Sequence, residues 1–170
     1  MSSIDEIAEL QEQDVLHPID VVECIAEHHD WEFDRLNEDQ IAMGVEGLWR
    51  TYSITLAWSA PDETLRMVLT FDMQPPEEKL LVLYEMLNVV NDMCWSDAFT
   101  FWHEQWLMVY RYGLLANGCD RIESQQIDTL IKTAISTAEK FYPAFQLAVW
   151  GDTSPHEALQ AAIAEAYGRA

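Results

Sequence analysis

Positive charge is what this sequence has least of. Nine Lys and Arg stand against 30 Asp and Glu in 170 residues, a formal net charge of −21. The nine cations, from Arg35 to Arg169, never gather into a basic stripe. Such a surface repels phosphate, so binding of DNA or RNA is not expected, and anionic membrane surfaces are disfavoured for the same reason. Cysteine is scarce too. Cys24, Cys94 and Cys119 are odd in number and widely spaced, with no Cys-x-x-Cys, which reads as reduced thiols rather than a disulfide framework or a zinc site. Charge interrupts every apolar run well before 18 residues, so no transmembrane helix is expected. The opening Met-Ser-Ser-Ile-Asp-Glu-Ile has neither the basic nor the apolar region of a signal peptide, and the expected location is the cytoplasm.

Short motifs that carry chemistry are missing as well. There is no Gly-x-Gly-x-x-Gly, no Walker loop, no Gly-x-Ser-x-Gly, no His-Glu-x-x-His and no calcium-loop spacing. His28-His29-Asp30 is a poor metal cluster, because adjacent helical residues point about 100° apart; it reads as a polar helix end. His103-Glu104 falls at a hairpin turn as a lone pair, and neither Cys94 nor Cys119 has a base or cation beside it to activate a thiolate. No catalytic residue, metal ligand or cofactor is expected.

What the chain does have is apolar bulk: 49% hydrophobic residues and seven Trp exclude general disorder. The length suits one domain, taken as residues 17–170 behind an acidic segment 1–16. Ile4, Ile7 and Leu10 in that segment fit a frayed tail or a short docking helix. Pro18 opens a helix with Ile19, Val22, Ile25 and Ala26 on one face. From Trp31 the period falls to two, through Trp31 and Phe33, then Ile41, Met43 and Val45, then Tyr52, Ile54, Leu56 and Trp58, then Leu65 to Met73. Turns at Gly47 and Pro61-Asp62 divide these runs into a four-stranded antiparallel meander with one apolar face. A helix over 76–94 carries Leu80, Leu83, Leu87 and Val90, and a hairpin follows over 98–103 and 106–115, with Asn117-Gly118 closing it. A third helix opens near Glu123, with a kink or break expected at Pro143. Gly151 is placed to end it in a left-handed conformation. Ser154, Pro155 and Glu157 then form a capping box that starts an alanine-rich last helix. The fold class is α+β, in the order α-β-β-β-β-α-β-β-α-α: an antiparallel sheet of five to six strands with helices on one face.

Several pieces carry a family resemblance: His17-Pro18-Ile19-Asp20-Val21-Val22-Glu23, Trp31-Glu32-Phe33-Asp34-Arg35, Trp49 and Trp58 flanking the third strand, Phe71-Asp72, and Phe141-Tyr142-Pro143-Ala144-Phe145-Gln146 to Trp150-Gly151. Over about residues 17–165 the sequence resembles the YbjN family, whose label is sensory transduction regulator, and the element order resembles the type III secretion chaperone-like fold. That resemblance implies regulation of signalling, dimerisation and capture of a partner segment. It carries no catalytic residues.

The outer sheet face, around Ala42, Gly44, Ser53, Thr55, Val68 and Thr70, reads as small and weakly polar. Strand parity places Trp49 and Trp102 at its borders, as partner anchors or as rim packing. The expectation is a non-enzymatic, cytosolic protein-binding module, a homodimer with a further protein partner, whose expected contact residues are Trp49, Ser53, Thr55, Thr70 and Trp102. The alternative is a small-molecule sensor with a pocket between helix 76–94 and the sheet.

Overall fold

The switch of period at Trp31 is where helix gives way to sheet. In the computed structural model, residues 16–116 and 122–168 are described, the last four as backbone only, together with Ile4, Ile7 and Gly118. The elements are α1 (Pro18–His28), β1 (Glu32–Asn37), β2 (Gln40–Glu46), β3 (Thr51–Ser59), β4 (Thr64–Asp72), α2 (Leu80–Asn91), β5 (Asp97–Trp102), β6 (Leu107–Leu115), α3 (Ser124–Trp150) and α4 (Pro155–Gly168). The acidic segment 1–16 lies outside the described residues except Ile4, Ile7 and Leu16, and Ile7 is buried in the core. Asn117, Cys119 and Asp120 also lie outside them.

The six strands form one antiparallel sheet in the order β1-β2-β3-β4-β6-β5. β6 rather than β5 joins the meander because its nine residues pair with all nine of β4, leaving the six-residue β5 at the edge. The alternation puts Ile41, Met43, Tyr52, Ile54, Leu56, Leu65, Met67, Leu69, Phe99, Met108 and Tyr110 on one face, all buried. Against them pack Ile19, Val22 and Ile25 of α1, Leu83, Met86 and Val90 of α2, and Ile127, Ile131, Phe141 and Phe145 of α3. Each large aliphatic side chain so buried contributes about 1.5–3 kcal/mol, which is what holds the layers together. Trp58 is half-buried against this core.

Helix ends follow local chemistry. His17 caps α1, its Nδ1 accepting from the Ile19 N–H at 3.3 Å, with Pro18 in the first turn. Glu123 and Gln126 form a capping box on α3, and Ser154 and Glu157 form the expected one ahead of α4. A 3₁₀ turn, Glu77–Lys79, precedes α2. The Asn91 amide, near the C-terminal end of α2, binds both backbone groups of Phe99 at 2.8 and 2.9 Å, tying the helix to β5.

Two expectations are corrected. α3 runs through Pro143 as one helix from Ser124 to Trp150. Pro143 removes a single N–H, while Ala138 and Phe141 before it, and Ala144, Phe145, Ala148 and Val149 after it, stay buried on one stripe, and their burial outweighs one lost bond. Gly151 is extended (φ −94°, ψ 170°), not left-handed. Glycine is needed there for a different reason: a Cβ would come within 2.5 Å of the Leu147 carbonyl oxygen, to which the Gly151 N–H donates.

Candidate functional site

All helices with described sheet contacts lie on the apolar face, so among the described residues no helix covers the opposite face of the sheet. Its rows follow from the register. Gly44, Ser53, Thr70, Val109 and Thr100 lie side by side across five strands, and Ala42, Thr55, Val68, Arg111 and Ala98 form the next row. Among the predicted contact residues, Ser53, Thr55 and Thr70 are adjacent there, as parity required. Trp102 also belongs to this face, opposite Leu107 on the edge strand, and remains 39% exposed. Neither row contains a carboxylate on these five strands, while on the edge strand β1 Glu32 continues the first row and Asp34 the second. Val109 is fully buried although it lies on the helix-free side, between Thr70 and Thr100.

Trp49 is elsewhere. It lies in the β2–β3 turn, outside either strand, and its ring stacks on Tyr142 of α3 with centroids 6.4 Å apart. The Trp49 backbone N–H donates to Glu139 Oε1 at 3.4 Å. Parity failed here because the ladder ends at Glu46–Thr51 and the turn rolls toward the helices. Beside it, Arg50 places its guanidinium 5.7 Å from the Phe71 ring and 5.8 Å from that of Tyr142, and donates to the Asp72 carbonyl at 2.8 Å. Trp49, Phe71-Asp72 and Phe141-Tyr142, three of the family pieces, therefore meet around one arginine. A second clamp joins two others. Arg35 of β1 donates to Asp20 at 2.9 Å and Glu23 at 2.7 Å on α1, fixing that helix to the sheet edge. Both clusters hold architecture together.

A third cluster was not legible in the sequence. Asp128 of α3, a buried carboxylate, accepts from His29 Nε2 at 2.8 Å and Lys132 Nζ at 2.6 Å, and the His29 ring stacks on Trp31 at 4.5 Å. Burial alone would raise the Asp128 pKa, but the hydrogen bonds from Lys132 and His29 outweigh it and hold the carboxyl below its usual range. The available signals were the Asp128/Lys132 spacing of four and an acidic residue on the stripe of Ile127 and Ile131. His29 is thus engaged with α3. His103 sits between the Phe101 and Trp106 rings, 6.2 and 5.2 Å away. Burial, and after it the Asp97 carboxylate, pushes the Cys94 thiol up to about 11, which leaves it a poor nucleophile. Among the described residues no group of three His, Cys, Asp or Glu is placed to hold a metal ion. Among them, too, no helix is long and apolar enough to cross a membrane.

Two clefts among the described residues lie away from α2. One of about 520 Å³ lies between β6 and the first half of α3, lined by Tyr112, Leu114, Gln126, Thr129 and Thr133. Another, of about 680 Å³, lies on the helix-free side of β4, β6 and β5.

An antiparallel sheet backed on one face by helices, with its polar clusters bracing the layers, defines an α+β protein. The sequence matches the YbjN family, described as "Putative bacterial sensory transduction regulator", over residues 18–147, and the chain belongs to that family. Among solved structures it is similar to one titled "Crystal structure of YbjN, a putative transcription regulator from E. coli", with a TM-score of 0.53 at 9% identity, covering 88% of this chain and 94% of that one. That likeness is one of fold. No curated protein matches the sequence.

Proposed function

We propose that this protein is a cytosolic regulatory module that acts through protein–protein contact, without catalysis of its own, and pairs with a second copy of itself across the open sheet face. One observation carries this reading. A chain of net charge −21 has a sheet face whose two central rows contain no carboxylate across the five strands inward of Glu32 and Asp34 on β1. Two such chains repel over most of their surfaces, and the carboxylate-free middle of this face, inside a border of Glu32, Asp34, Glu46 and Asp72, is where they can approach. Ser53, Thr55 and Thr70 are small enough for close sheet stacking at about 10 Å, and Trp102 supplies an aromatic anchor at the border.

Light scattering and sedimentation test this directly. Thr55→Glu places like charges on both facing surfaces and should give a monomer. Trp102→Ala should weaken association roughly thirtyfold, the equivalent of about 2 kcal/mol. Both variants should melt close to wild type. A wild-type chain that is monomeric at high concentration would overturn the reading, as would two variants that keep native assembly.

A further inference from the structure

The 680 Å³ cleft on the outer face has chemistry that the rest of the molecule lacks. Arg66 of β4 lies opposite Gly113 and Arg111 of β6 lies opposite Val68, so the two arginines are diagonal neighbours, with backbones about 7–8 Å apart. In a chain with nine cations and 30 acids, two guanidinium groups sharing one groove is a concentration of positive charge. Asp62 pairs with Arg66. Arg111 is exposed, and its side chain has no ion pair or hydrogen bond among the described residues. Asp97 borders the cleft but lies opposite Tyr112, on the parity of the helix-facing side, so its carboxylate does not answer the two guanidinium groups.

The floor and walls are also particular. Gly113 and Ala98 leave the floor shallow and without side chains in the way. Trp102 borders it from β5, and Trp95, in the loop before β5, borders it with a side chain 99% exposed to solvent. A fully exposed indole is costly to leave in water and suits a ring that stacks on it. The volume falls within the range of about 300–1,000 Å³ usual for small-ligand sites.

We infer that this groove binds a small aromatic anion, a planar ring bearing a carboxylate, sulfonate or phosphate. Its ring lies against Trp95 and Trp102, and its charged group is taken by Arg111 with Arg66. Arginine suits the second role because its planar donor fork matches such oxyanions two bonds at a time. The groove shares Val68, Ala98, Arg111 and Trp102 with the face proposed for self-pairing, so the ligand and a second copy compete for it, and binding belongs to the monomer.

A fluorescence titration of the full chain tests the inference, with anilinonaphthalene sulfonate as probe. Phenylnaphthylamine serves as its uncharged counterpart and sodium sulfate as an anion without a ring. The sulfonate should bind saturably at one site per chain, at least tenfold more tightly than the neutral ring, with sulfate competing only weakly. Arg111→Gln and Trp95→Ala, both at exposed positions, should each weaken the sulfonate about tenfold, as expected for loss of one charge-assisted contact or one stacking face. Their melting temperatures should not change. Equal affinity for the charged and neutral probes, or sulfonate binding unaffected by Arg111→Gln, would overturn the inference. Sedimentation separates it from the dimer: the monomeric Thr55→Glu variant should bind the sulfonate at least as tightly as wild type, and a loss of probe binding that merely follows a loss of assembly counts against a groove built within one chain.

Discussion

Replacing Asp128 by Ala is the sharpest probe of how the helical layer is fastened. The carboxylate is 8% exposed and accepts from His29 at 2.8 Å and from Lys132 at 2.6 Å. A shielded hydrogen bond to a charged group contributes about 1.5–3 kcal/mol. The Lys132 side chain is 56% exposed, so water screens that arm and leaves it about 0.5 kcal/mol. His29 is the more sheltered partner and supplies the larger share. The expected cost is about 2–3 kcal/mol, and at roughly 2–4 °C per kcal/mol for a chain of this size the variant should melt about 4–12 °C early at neutral pH. Acid gives a second readout. The Asp128 carboxyl is depressed in the folded chain because Lys132 and His29 outweigh its burial. Its contribution is therefore complete above the unfolded value of about 3.9 and is lost as pH falls through the lower folded one. Melts followed by circular dichroism from pH 7 to 3 should show the gap between wild type and Asp128→Ala closing below about pH 4. A double variant with His29→Ala should cost less than the two single changes summed. An Asp128→Ala melt within about 1 °C of wild type at pH 7, or a gap that persists unchanged to pH 3, would refute this account of the clasp.

Gly47→Ala should lower the urea midpoint by the equivalent of about 1–3 kcal/mol, because the new methyl group runs into the Glu139 carboxylate and the Tyr52 ring. An unchanged midpoint would mean that the β2–β3 turn has slack. Cys94, with its pKa near 11, is thiolate in only about one molecule in a thousand at pH 8. Its alkylation by iodoacetamide, followed by peptide mass spectrometry, should be more than a hundredfold slower in the folded chain than in urea, and equal rates would contradict its burial.

The sequence by itself determined most of the architecture, and the reason is that the deciding interactions are local. Periods of 3.6 and two appear within a few residues, so α1, the meander, α2 and the hairpin stood out at Pro18, Trp31, Pro76 and Ala98 without any knowledge of the fold. Caps are local as well, which is why Pro18 and the Ser154/Glu157 box were found where the structure has them. Parity within a strand correctly put Ser53, Thr55, Thr70 and Trp102 on one face. It could not be extended past the end of a strand, and Trp49, three residues beyond β2, turned toward Tyr142 instead.

Tertiary structure decided whatever depends on partners far apart in the chain. Whether Pro143 breaks α3 is a contest between one missing hydrogen bond and a buried stripe whose worth is set by the sheet beneath it. Gly151 is required by the nearness of the Leu147 carbonyl, which no residue type reports. Pairing of β6 with β4 follows from matched lengths, and it alone brings Arg66 and Arg111 into one groove across 45 residues of sequence. The meeting of His29 with Asp128, 99 residues away, has the same character. Side-chain periodicity tells each residue which way to face, while only the packed chain tells it what it will meet there.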